Sequence, residues 1–130
     1  MKIVISGSMS FYDDMQNYAS ILQKRGLEVI IPEEDDWDSI PASKIMEYKR
    51  QVSIKHFDEI ASQSTDGILV LNQRKKDIDN YIGANTFAEI AIAFYFKKKI
   101  YILNEYYEPY NDELEGWGAI PLNGNINNML

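Results

Sequence analysis

Four short apolar runs separated by segments of helical period constrain this chain more than any other feature of it. Ile3-Val4-Ile5 is continuous rather than alternating, the pattern of a strand covered on both faces, and residues 27–31, 67–72 and 100–103 read as further apolar strands. The first run ends in Ser6-Gly7-Ser8, and the second in Pro32 and the acidic stretch 33–38, which reads as a loop because it cannot enter a core. Between them Met15, Tyr18, Ala19 and Leu22 fall at i, i+3, i+4 and i+7, predicting a helix over about 11–25 with Gly26 as its left-handed C-terminal cap. A longer helix over 44–62 is expected to bury some combination of Ile45, Tyr48, Val52, Phe57 and Ile60, and a third is expected over 86–98. Strand and helix alternating with connections this short force right-handed crossovers. The expected fold class is α/β: a small doubly wound, flavodoxin-like or Rossmann-like parallel sheet of four to five strands flanked by helices.

A chain of 130 residues, 45% of them hydrophobic, matches one domain over 1–130 and buries roughly two-thirds of its unfolded surface without staples. Residues 104–130 combine Tyr, Trp and Pro with turn residues, so this segment is expected to be irregular yet packed, on its own sheet edge or on a neighbouring subunit. Thirteen Lys and Arg against twenty Asp and Glu leave a formal charge of -7, which repels polyphosphate backbones, so no nucleic-acid partner is expected. The N-terminal apolar run is too short for a signal peptide and no stretch approaches the ~20 apolar residues of a membrane helix, pointing to a cytoplasmic protein without a membrane partner. Absence of Cys removes thiolate chemistry, and the single histidine, His56, reads as a surface helix residue. Neither a metal nor a cofactor is expected; the acidic stretch lacks the glycine and ligand spacing of an EF-hand.

In a doubly wound sheet the ligand site lies beyond the carboxyl ends of the strands where strand order reverses, most simply between the first and third strands. The loops to read are then 6–12 and 72–86. Ser6-Gly7-Ser8-Met9-Ser10 offers a glycine for close backbone approach, hydroxyls, and the start of a helix, which suits a phosphate or a sugar hydroxyl as well as it suits an ordinary tight turn. It has neither the G-x-G-x-x-G spacing nor a P-loop lysine, so dinucleotide and ATPase readings fall. Past Asn72, which ends the third run and is with Ser10, Gly83 and Asn85 a candidate for substrate binding, the chain leads into a segment, residues 87–96, that is apolar or aromatic throughout except Glu89. A carboxylate there has two explanations. Thr86 and Glu89 match the S/T-x-x-E capping box, which is the simpler reading from the residues alone, whereas a carboxylate at the mouth of a crevice is a nucleophile or general base. Asp58 is the second acidic residue in reach, although a site near the end of the second helix points to the opposite rim.

The Ser-Gly-Ser turn after the first strand, Asp58 eight residues before Asp66 in Thr65-Asp66-Gly67-Ile68-Leu69-Val70-Leu71, and Glu89 opening an apolar helix that runs into Lys98-Lys99-Ile100-Tyr101-Ile102-Leu103 resemble the nucleoside 2-deoxyribosyltransferase superfamily, which includes the deoxynucleoside 5′-monophosphate N-glycosidases. The resemblance covers residues 2–103 in order. It implies cleavage or transfer at an N-glycosidic bond through a glycosyl-enzyme intermediate, with Glu89 as nucleophile and Asp58 assisting, Gly7 and Ser8 at a phosphate, and a nucleoside or nucleotide as small-molecule partner. A homodimer or higher homo-oligomer is implied too, since in these enzymes the C-terminal segment often completes a neighbour's pocket.

The chain also departs from that pattern. Val4 stands where the family has Tyr, Ser10 where the hydrolase branch has a phosphate-binding Arg, Gly83 where Asp or Ser is found, with Asn85 a substitute donor, and Ala88 where Tyr or Met precedes the nucleophile. Those losses keep a second hypothesis in view, a non-catalytic module that binds or senses a nucleotide in the same crevice. A third, carriage of a flavin mononucleotide, rests only on hydroxyls after the first strand and on nearby aromatics.

Overall fold

The N-terminal apolar run forms β1 (Lys2–Gly7) of a computed structural model that describes residues 1–34 and 36–129. Asp35, in the acidic stretch read as a loop, and Leu130, the last residue of the tail, lie outside the described residues. A 3-10 turn, Met9–Phe11, leads from β1 into α1 (Tyr12–Lys24). The helix ends as its glycine requires. Gly26 takes φ +87°, its N–H reaches the Gln23 carbonyl at 3.0 Å and the Leu27 N–H reaches the Leu22 carbonyl at 3.2 Å, the paired bonds of a Schellman cap.

The chain then runs through β2 (Glu28–Ile30), α2 (Ile45–Ala61), β3 (Gly67–Leu71), α3 (Ala84–Tyr95) and β4 (Lys99–Ile102). With a fifth strand from the tail, β5 (Ile120–Pro121), sheet order is β2-β1-β3-β4-β5, every neighbouring pair parallel, the flavodoxin-like order whose reversal lies between β1 and β3. The doubly wound α/β expectation holds, with five strands. Gly67 sits where the strands crowd: a Cβ there would come within 2.8 Å of the Lys99 carbonyl oxygen.

Period-two alternation divides the strands between two cores. Ile3, Ile5, Leu69, Leu71, Tyr101 and Leu103 face α1 through Met15, Ala19 and Leu22. Val4, Ile68, Val70, Ile100 and Ile102 face Ile60 of α2 and Ile90 and Ala93 of α3. Ser6, next in phase after Val4, is fully buried on that second face.

The tail is not irregular. It forms a 3-10 turn (Glu108–Tyr110), α4 (Asn111–Gly116), β5 (Ile120–Pro121) and a last 3-10 turn (Ile126–Met129). Leu114 and Ala119 close one core, and Leu122, Ile126 and Met129 the other, so the segment covers its own sheet edge. Its rings lie along α3, with Phe87 4.3 Å from Tyr110 and Phe94 stacked on Trp117 at 5.0 Å. Even so, α3 is not buried all round: Phe94 and Tyr95 remain exposed, as does Phe96 just beyond its end.

Candidate active site

Helical geometry decides which side chains reach the reversal point. At about 100° per residue, Thr86, Glu89, Ile90 and Ala93 share the buried stripe of α3, and Glu89 is its cleft-side acidic member. The helix starts two residues earlier than its sequence suggests, with Gly83 at the N-cap, so Thr86 is the third helical residue and the expected capping box does not exist. Glu89 instead looks across to other elements. Ser6 Oγ of β1 donates to its Oε2 at 2.9 Å, and His56 Nδ1 of α2 lies 3.5 Å from Oε1, an ion pair when the imidazole is protonated. Both carboxylate oxygens are thus oriented from outside α3. The side chain is 11% exposed, with few partners for a group that can accept about four hydrogen bonds.

That exposed fraction opens into a cleft of about 410 Å³ between β1, α2, the segment after β3, and α3. Its volume lies within the usual range for small-molecule sites. Along α2 the lining residues are Lys49, Val52, Ser53, His56 and Phe57, one helical stripe. Asp58 follows His56 by two residues, about 200° further round the helix. It is exposed and lines a separate shallow hollow with Lys2, Gln51, Ile54 and Lys55. The structure therefore brings His56, read from sequence as a surface residue, to Glu89, and does not bring Asp58 there.

The other expected site residues divide in the same way. Gly7, Ser8, Gly83 and Asn85 line the cleft. At Gly7 a Cβ would lie 3.1 Å from the Leu71 carbonyl oxygen, and at Gly83 3.1 Å from the Tyr81 hydroxyl. Ser10 is exposed and outside the lining, its hydroxyl 2.9 Å from that of Ser8. Asn72 is fully buried and occupied structurally: Nδ2 donates to the Glu105 carbonyl at 2.6 Å and Oδ1 accepts from the Asn104 N–H at 2.9 Å, tying β3 to the chain after β4.

Several lining residues escaped the sequence reading. The α2 stripe of Lys49, Val52, Ser53 and His56 is one helical face among others in the sequence, and Ser6, which holds Glu89 from the buried end of β1, is not itself in the lining. Trp37, for which the sequence leaves a roof over the site open beside a solvated loop, lines the cleft edge-on to Tyr48 at 5.1 Å. Lys75 enters from a hairpin after β3, where the sequence shows only a polar segment; its Nζ donates to Ser8 Oγ at 2.7 Å and stands 5.4 Å from the Tyr81 ring centroid. Among the described residues no group of His, Cys, Asp and Glu is arranged to hold a metal ion, and no helix is long and apolar enough to cross a membrane.

Fold and cleft together define a flavodoxin-like α/β domain with an oriented carboxylate at its reversal point. Among solved structures, the chain is similar to the CMP N-glycosidase BcmB of Clostridium botulinum, with a TM-score of 0.56 and 17% identity over 95% of this chain and 89% of that one. At that identity the likeness is one of fold. No protein-family model matches the sequence, and no curated protein matches it significantly.

Proposed function

We propose that this protein cleaves the N-glycosidic bond of a nucleoside or nucleotide, with Glu89 as the nucleophile. The observation that carries the reading is the Glu89 carboxylate, bonded to Ser6 and facing His56 at the cleft instead of capping its own helix. Sharing its fold with a CMP N-glycosidase supports the same chemistry. A Glu89 oxygen attacks C1′ of the sugar as the C1′–N bond breaks, and the base departs with the electron pair and takes up a proton. Water then attacks C1′, loses a proton, and frees the carboxylate; an acceptor base in place of that water gives transfer. Negative charge held beside C1′ stabilises the oxocarbenium-like transition state. His56 takes the assisting place that the resemblance gives to Asp58, holding the carboxylate plane with Ser6. Trp37 offers an aromatic face to the base, while Gly7, Ser8, Gly83 and Asn85 surround the sugar and its substituents. Copies of the chain associate through Phe94, Tyr95 and Phe96, which are 44%, 77% and 45% exposed.

The test is incubation with mixed nucleosides and nucleoside monophosphates, with and without a free acceptor base, and mass spectrometry of released or exchanged bases. Glu89→Gln is expected to abolish base release without lowering the urea midpoint, whereas loss of a capping residue would cost about 1 kcal/mol of stability. Ligand-dependent thermal stabilisation with no base released by the unmutated protein would favour the non-catalytic module.

A further inference from the structure

The chain carries a formal charge of -7, yet its cleft is lined by two lysines, Lys49 and Lys75, and one carboxylate, Glu89. Lys75 is held there by a built turn. Lys75 and Ile78 exchange backbone hydrogen bonds of 2.9 Å in both directions, and between them Lys76 and Asp77 take φ values of +49° and +63°, the left-handed pair of a tight hairpin turn. Asp77 is among the residues such a turn accepts, but Lys76 is not, so the conformation is maintained at a local cost at Lys76. Arg74, on the outside of the hairpin, bonds Asp79 at 2.9 Å and pairs with Asp77 at 3.4 Å. The hairpin's acidic residues are thereby engaged outside, and Lys75 reaches inward to Ser8.

Among the described residues the Lys75 ammonium has no carboxylate partner. It spends one donor on the Ser8 hydroxyl and rests against the Tyr81 ring, which leaves donors for a ligand at the carboxyl end of β1. Ser8 adds a hydroxyl at the same point, and Gly7 lets the backbone approach. The arrangement suits a compact dianion.

We infer that Lys75 is the cation that receives the 5′-phosphate of the substrate, beside Ser8, so that the site prefers nucleoside 5′-monophosphates to nucleosides. This rests on the glycosidic reading of the cleft given above.

Base release from matched nucleosides and 5′-monophosphates is compared in the unmutated protein, K75M and K75R. The ratio of kcat/KM for monophosphate over nucleoside is expected to fall at least about tenfold in K75M and to be largely kept in K75R. An unchanged ratio in K75M overturns the inference. Thermal shifts with 2-deoxyribose 5-phosphate and with inorganic phosphate test the subsite without turnover. Saturable stabilisation of the unmutated protein that is lost in K75M supports it even if no base is ever released, and equal stabilisation of both proteins overturns it. Circular dichroism checks that K75M is folded; if it is not, K75Q takes its place in each comparison under the same criteria.

Discussion

Glu89 shows how much one residue can reveal before its partners are known. A single carboxylate in an apolar helical segment demands an explanation, and that demand is legible in the sequence. Which explanation holds depends on Ser6 and His56, 83 and 33 positions away along the chain, contacts that no local pattern encodes. Asp58 stands apart from the cleft for a related reason: half-apolar α2 presents more than one plausible inward face, and only packing selects the one bearing His56. Tyr18 carries a pH signature of its own. Burial first, and the charge of Asp14 second, raise its phenol above the ordinary tyrosine value. The folded state thus disfavours the phenolate, and its contribution to stability is fully present below the unfolded pKa and is lost as pH rises through the raised folded value. Urea midpoints measured from pH 8 to 11 should fall more steeply for the unmutated protein than for Tyr18→Phe.

At the scale of elements, the strongly patterned segments were read well and the termini less so. The end of α1 followed from Gly26, whereas α3 begins before Thr86 because Gly83 supplies the extended N-cap conformation. The C-terminus of α3 repeats the Schellman arrangement without a glycine. Lys97 takes φ +61° while the Lys98 N–H bonds the Ala93 carbonyl at 2.8 Å. Relief of that left-handed strain outweighs the greater freedom of glycine in the unfolded chain, so Lys97→Gly is expected to stabilise the protein by about 0.5–1 kcal/mol. Chemical denaturation at constant pH checks the sign. Both α4 and β5 escaped notice because they are short, and a two-residue strand has no period to detect.

Over the whole molecule, the tail is where composition misled most. Leu122 is fully buried beneath the face that also receives α1, so the segment forms part of the core and does not merely cover it. Leu122→Ala should cost about 2–5 kcal/mol, read as a lowered urea midpoint with an unchanged slope. The sequence by itself determined the class of fold, the parallel sheet and the crevice between β1 and β3, because unbroken apolar runs and short crossovers admit few other solutions. Tertiary structure alone decided what stands in that crevice. Ser6, His56 and Lys75 meet Glu89 and Ser8 only after β1, α2, α3 and the hairpin have packed, and side-chain direction across elements is a property of packing rather than of spacing along the chain.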